Sequence, residues 1–519
     1  MSFLENTRKC MLILLLLFTG IQVLSAGDSY YVATNGSNAN SGAFSTPWKS
    51  LAYAVTVATA GDTIFIRGGR YINHEVYVAR TKGRGGRGGN YLTIKAYQNE
   101  QPIMDYGSRR LIVWADYVRI EGLHFIMPWR CDIFGKGNQV INNIFTGEQP
   151  QYGAIETGGV DVLIQGNYIQ YDDEGGNTQD HGIYLHAGKN IVVRGNTVSG
   201  SKGYGIHLYD EQKSPNPDDW VANPFSMEGY LIEDNIVMYS QSRSGLIIAK
   251  GRGGNYIDLR DITVRNNVFF RNYEFGIYIR EGEDIKVENN TFYSNRLAPV
   301  FIREPSPEGV ETAENITVVN NILSAQPGMN HIFNSSYAQN IQLSNNLYNR
   351  TPMLVAVTPS TYVVGDPKFV NESTQIFLLQ LDSPAIDAGL DIGLPFSGKA
   401  PDIGAFENAQ GVTGISNSEE IPNGYSLQQN YPNPFNPDTK IPYQIAQSGK
   451  TLLEIFNMLG RRVRTLFDDN QSAGSHVVFW DGRDQNGQQL ASGVYFYRLT
   501  VQVDGQKKYR MVRRMALLK

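Results

Sequence analysis

The sequence predicts an all-β protein: a right-handed parallel β-helix followed by a C-terminal antiparallel β-sandwich. Three observations carry this. First, 53 glycines and many Asn-rich turns punctuate short runs of Val, Ile, Leu and Tyr over 519 residues, which is a strand signature rather than a helical one. Second, the turn asparagines Asn143, Asn167, Asn196, Asn235, Asn267, Asn290, Asn321 and Asn346 recur at separations of 24, 29, 39, 32, 23, 31 and 25 residues. Each follows a strand of the type "NIVVRGN" or "DIKVENN" and precedes a second apolar run. A coil of about 22 to 25 residues with occasional insertions stacks on its neighbours at roughly 4.8 Å and buries a continuous apolar core. Asparagines at one turn then form a hydrogen-bonded ladder. Third, beyond residue 408 the text changes to longer strands that alternate apolar and polar residues between turns.

Taken in order, residues 1–26 have the parts of a secretory signal. Arg8 and Lys9 precede an apolar run from Met11 to Phe18, and small residues end at Ser25 and Ala26. Cys10 leaves with that segment and Cys131 is left alone, so no intramolecular disulfide is expected. No later run approaches the roughly 20 apolar residues that a spanning helix needs. The expectation is therefore export, with release or attachment at the outer surface. In "TPWKSLAYAVTVATAGDTIFIRGGRY" a short helix from Pro47 to about Ala58 is expected to cover the open end of the core before a first strand, Thr63 to Arg67. The β-helix is assigned to residues 27–407. The polar stretch "NAQGVTGISNSEEIPN" marks a linker over 408–424, and the sandwich takes 425–519.

The N-terminal stretch, "YVRIEGLHF" and "SPAIDAGLDIGLPFSGKAPDIGAFE" resemble the exported β-helix proteins of the pectate-lyase-like superfamily. Further on, "YSLQQNYPNPFNPDTKIPYQI", "LLEIFNMLGRRVRTL", "HVVFWDGRDQNGQQLASGVYFYRL" and "KKYRMVRRMALLK" resemble the C-terminal sorting domains of the type IX secretion system and the related FlgD-like immunoglobulin fold. That second resemblance implies passage across the outer membrane by the type IX machinery, with the tail as an address.

The candidate site comes from aligning strands on the glycine that opens each: Gly182, Gly205, Gly245, Gly276, and Ala298 in glycine's place. Alternate side chains face opposite ways. Ile183 and Leu185, Ile206 and Leu208, Leu246 and Ile248, and Ile277 and Ile279 then point inward. Tyr184, His207, Ile247 and Tyr278 form one outward column, and His186, Tyr209, Ala249 and Arg280 the next. Same-face neighbours lie about 7 Å apart along a strand and about 5 Å apart across rungs. Tyr184, His186, His207 and Tyr209 thus make a compact quartet, while Arg280 is three rungs, about 14 Å, from His186. The insertions at 171–180, 211–229 and 251–258 fall beside this face as walls, and Trp220 in one of them suits stacking on a sugar ring.

β-Elimination of an acidic polysaccharide needs a base titrating near neutrality, a proton donor and positive charge to neutralise the sugar carboxylate. His207 or His186 fits the base, Tyr209 or Tyr184 the donor, and Lys250, Arg243 or Arg280 the neutraliser. Asp210, Glu281 and Tyr278 are placed as further substrate contacts. The same groups, reprotonating the other face, give epimerisation. Mannuronan epimerases and alginate lyases of the resembled superfamily use such groups, but their Asp-Pro-His-Asp motif is absent, and so is the Asp-Asp-Gly calcium cluster of the family 9 pectate lyases. Asp172, Asp173, Glu174 and Asp180 offer oxygen ligands that suit calcium.

Hydrolysis would need a carboxylate pair, for which Asp210 with Asp180 or Glu281 is available. A non-catalytic reading, a polysaccharide-binding or adhesive surface with the aromatic column as platform, also fits. With 45 basic and 50 acidic residues, a formal charge of −5 and pI near 5.9, there is no basic stripe of the kind nucleic acid requires. A monomer is expected.

Overall fold

A computed structural model describes residues 27–407 and 425–517, apart from short segments of which the longest are 80–88, 172–176, 210–226, 251–258 and 303–312. The expected signal segment, the linker and the tips of the three insertions lie outside the described residues.

Three long parallel sheets of 12, 11 and 12 strands run the length of the first unit, and each coil gives one strand to each sheet. The first sheet runs from Ser29–Val32 to Gln339–Ser344, the second from Val76–Val78 to Leu354–Val355, and the third from Gly69–Ile72 to Tyr362–Val364. Inward residues fuse into one apolar column that contains every side chain assigned inward above, from Ile183 to Ile279. Each such Ile or Leu contributes about 1.5–3 kcal/mol by burial. Inside it Phe125 stacks on Phe145 at 4.7 Å, and Phe269 on Phe292 at 5.2 Å.

Two devices set the register. The eight asparagines do form a ladder: each Nδ2 donates to Oδ1 of the next, from Asn143 to Asn346, at 2.9–3.1 Å. That same oxygen accepts a backbone N–H from the previous rung, as Asn196 N does to Asn235. These turns are buried, so the side chains satisfy backbone groups that water cannot reach. The second device is close approach. A Cβ on Gly182, Gly205, Gly245 or Gly276 would meet a carbonyl of the next rung at 2.5–2.8 Å, which only glycine avoids. The register Ile183↔Ile206↔Leu246↔Ile277↔Val300 confirms the alignment with one correction. Phe275 faces Ala298, so Pro299 rather than Ala298 occupies the glycine position and ends that column.

The N-terminal expectations are also amended. The first strand is Ser29–Val32, paired in parallel with Thr63–Ile66. The helix is Leu51–Val57, not from Pro47, because Trp48 bridges to Val32 and Ser50 caps the helix by accepting from Tyr53 N. Its Leu51, Ala54 and Val55 are buried against the end of the stack. At the other end, residues 366–406 fold over the outer face of the third sheet. There Phe369, Phe377, Leu379 and Ile403 bury Met238, Phe270, Ile322 and Leu347.

The C-terminal unit has a three-stranded and a four-stranded antiparallel sheet. They enclose a separate core around Trp480, Tyr497 and Leu499. Asn430 of the Asn-Tyr-Pro-Asn-Pro run is buried there: its N–H donates to Tyr497 Oη at 2.7 Å and its Nδ2 to Thr439 Oγ1 at 2.9 Å.

Candidate functional site

The second sheet carries the site on its outward face. One continuous column runs Tyr77, Ile112, Asp132, Glu156, Tyr184, His207, Ile247, Tyr278 and Phe301, rung to rung. The quartet read from the sequence converges within it. Tyr184 stacks on His207 at 4.8 Å and 16°, His207 lies 5.0 Å from Tyr209, and Tyr184 lies 5.2 Å from His186.

Outward does not mean exposed, and this corrects the expectation for two members. Tyr184 is 1% and His207 9% exposed. Burial, aided by nearby His181 and His186, pushes the His207 imidazole well below its ordinary value, so it is neutral and weakly basic rather than titrating near neutrality. His181, absent from the list of candidates, lies edge-on to His207 at 4.1 Å. Burial, with Arg243 nearby, lowers it to about 3. Its Nδ1 accepts the Tyr204 N–H at 3.0 Å, which assigns its own proton to Nε2.

The groups that the sequence reading missed lie on the two preceding rungs. His186 Nε2 is 3.1 Å from Glu156 Oε1. Arg130 reaches both Asp132 Oδ1 at 3.0 Å and Glu156 Oε2 at 3.4 Å, and Arg110 Nη1 donates to Asp132 Oδ2 at 3.0 Å. Burial and the neighbouring Glu156 charge raise Asp132 to about 6, against the pull of Arg130 and Arg110. Burial acts upward on Glu156 too, but His186 and the arginines outweigh it and hold that carboxyl below its usual range. The two acids are thus driven apart in proton affinity, as in acid/base pairs. The sequence signal was present: "RCDIF" and "GAIET" continue the in-out alternation of "GIYLH" two rungs back.

The remaining candidates divide. Arg243 pairs with Glu274 at 3.5 Å and Arg280 with Glu281 at 2.8 Å. The Lys250 N–H donates to Glu281 Oε2 at 3.1 Å. Both arginines thus face carboxylates, as Arg110 and Arg130 also do. Asp180 is buried and its Oδ2 accepts the Asn177 N–H at 2.5 Å; both carboxylate pairs expected for hydrolysis share Asp210, which lies outside the described residues. Trp220, Asp210, Asp172, Asp173 and Glu174 lie outside the described residues. Among the described residues no group of three or more His, Cys, Asp or Glu is placed to hold a metal ion. No described helix is long and apolar enough to cross a membrane.

Coil geometry defines a right-handed parallel β-helix, and comparison with known families agrees. Residues 30–158 match the family model described as "Pel9A-like, right handed beta helix region". Residues 130–225 and 225–366 match the right-handed β-helix region model, and 439–506 the FlgD Ig-like domain. Among solved structures, pectate lyase Pel9A is 15% identical with TM-score 0.43, covering 74% of this chain and 97% of its own. A rhamnogalacturonan lyase is likewise 15% identical, with TM-score 0.46 and coverage of 66% and 91%. A curated relative, the uncharacterized protein YwoF of Bacillus subtilis (strain 168), is 34% identical over 105 residues, 20% of this chain and 21% of that protein. The match thus spans about a fifth of that relative's length.

Proposed function

We propose that this chain is a secreted polysaccharide-processing enzyme, a β-eliminating lyase or an epimerase acting on an acidic polysaccharide at the second sheet's outward face. The observation that carries the reading is the His186–Glu156 contact of 3.1 Å beside Tyr184, with Tyr209 one rung on. A carboxylate beside an imidazole stabilises the imidazolium that forms when it takes a proton. His186, 12% exposed at its side chain, therefore replaces His207 as the base. Tyr209, part-exposed one rung on, suits the donor to the leaving oxygen. Arg110, 42% exposed at its side chain, together with Arg130 supplies positive charge for the substrate carboxylate. Neutral His207 packs the ring of Tyr184 and carries no proton in this scheme.

A second reading, hydrolysis, is favoured by one specific observation: Asp132 and Glu156 share Arg130 and differ in proton affinity, which suits an acid and a nucleophile or base. Incubation of the purified chain with pectate, alginate and glycosaminoglycan panels separates them. Elimination gives rising ultraviolet absorbance from the unsaturated product. New reducing ends without absorbance establish hydrolysis, and an altered uronate composition without cleavage establishes epimerisation. Binding with no product on any panel refutes the enzyme reading in favour of a polysaccharide-binding surface. We further propose that residues 425–519 direct export through the type IX machinery after removal of residues 1–26.

A further inference from the structure

The Asn-Tyr-Pro-Asn-Pro-Phe run that opens the C-terminal unit turns its side chains in two directions. Asn430 is buried against Tyr497 and Thr439, and Phe435 is buried with its ring 5.2 Å from Trp480. Both are anchors inside the sandwich. Tyr431 stands between them, and among the described residues it is not one of those packed against its own unit's core. Its ring instead lies 4.5 Å from Phe406 of the first unit, at an interplanar angle of 51°. Its hydroxyl accepts a hydrogen bond from the Phe377 backbone, and burial there raises it above its ordinary value. The polar end of the side chain is thus withdrawn from water against the β-helix unit.

Both sides of this contact are rigidly mounted. On the sandwich, Tyr431 and Lys440 exchange two backbone N–H···O bonds of 2.8 Å. On the β-helix, Phe406 follows Gly404 and Ala405, whose N–H groups donate to Asn320 O at 2.8 Å and Thr291 Oγ1 at 3.0 Å. Phe377 is buried in the apolar layer over the third sheet, and Phe406 packs against that layer. A tyrosine ring against apolar neighbours, with its hydroxyl hydrogen-bonded, is the arrangement by which this residue anchors interfaces. Residues 408–424 tether the two units, which makes their docking an intramolecular step at roughly millimolar effective concentration. A small contact suffices under that condition. We infer that the Phe377–Phe406 edge of the 366–406 segment is a docking site for the C-terminal unit, with Tyr431 as the inserted anchor, so that the two units keep one fixed orientation. This docking does not depend on what the second sheet's face binds or transforms.

Double electron–electron resonance on the full chain reads the distance between the units without reference to activity. Spin labels go on Val364→Cys and Phe479→Cys, both at exposed strand positions, one in each unit. Cys10→Ser removes one native thiol, and Cys131 is buried away from the label. The labelled parent chain is expected to give one narrow distance peak. Tyr431→Ala should widen that distribution about two- to threefold, because the tether alone then sets the spread. Phe406→Ala should do the same while leaving every residue of the sandwich in place. Unchanged circular dichroism and melting certify the fold of each variant. A broad distribution in the labelled parent chain overturns the proposal, as does a narrow peak that survives either substitution in a folded chain.

Discussion

Three histidines in this chain are held uncharged by the fold. Burial lowers His181 to about 3, His331 to about 4 and His207 well below its usual value. His331 is fixed from both sides, Nε2 against Asn349 Oδ1 at 2.9 Å and Nδ1 accepting Met353 N–H at 3.1 Å. For a base whose folded value is depressed, the unfolded chain binds more protons below about 6.5. The stability from these residues is present above that pH and lost as pH falls through the window toward 4. Asp132 acts with opposite sign between its ordinary value of 3.8 and about 6, and burial raises Asp234, Glu274 and Glu288 in the same sense, but the histidines of the unfolded chain begin to charge at higher pH, near 6.5. Melting temperature should therefore fall between pH 7.5 and 5, and His331→Gln, far from the site, should flatten the slope. A melting temperature that is constant or rises on acidification contradicts this account of the buried histidines.

At the scale of elements, the asparagine ladder makes the clearest claim. Asn235 accepts from Asn196 N and Nδ2 at 2.9 Å each, and its Nδ2 donates to Asn267 Oδ1 at 2.9 Å and Val193 O at 2.8 Å. Asn235→Ala removes all four bonds and strands buried groups of Asn196 and Val193, a loss of about 2–4 kcal/mol. The denaturant midpoint should fall accordingly, and a change below about 0.5 kcal/mol would show that water or a neighbour fills the gap. These ladders and the inward Ile and Leu positions were legible because both follow directly from periodicity: the turn recurs once per coil and side chains alternate every second residue. Burial of the outward face was not legible. Whether Tyr184 and His207 meet solvent depends on what packs above their strand, and no strand pattern encodes that. Asp132 and Glu156 were overlooked for another reason: their rungs do not begin with the Gly-Ile pair used to align the others, although Ile155 and Ile183 share a register. Helix start was misplaced because Trp48 reads as a helix residue until its bridge to Val32 is known.

For the whole molecule, the β-helix and the C-terminal sheets have separate apolar cores. Phe406 of the first unit meets Tyr431 of the second at 4.5 Å. A chain ending at Glu407 should keep its circular dichroism and melting transition, and in the native host should remain behind the outer membrane if residues 425–519 are the export address. Normal export of the shortened chain contradicts that assignment. The function rests on the other unit, where the His186–Glu156 pair is the centre of the account. The most direct measurement is the rate of unsaturated-product formation by His186→Ala on whichever acidic polysaccharide the parent chain cleaves. The account predicts a fall of about 100-fold or more with melting unchanged, because this side chain is outside the apolar column. Elimination at the parent rate in a folded His186→Ala chain would contradict it.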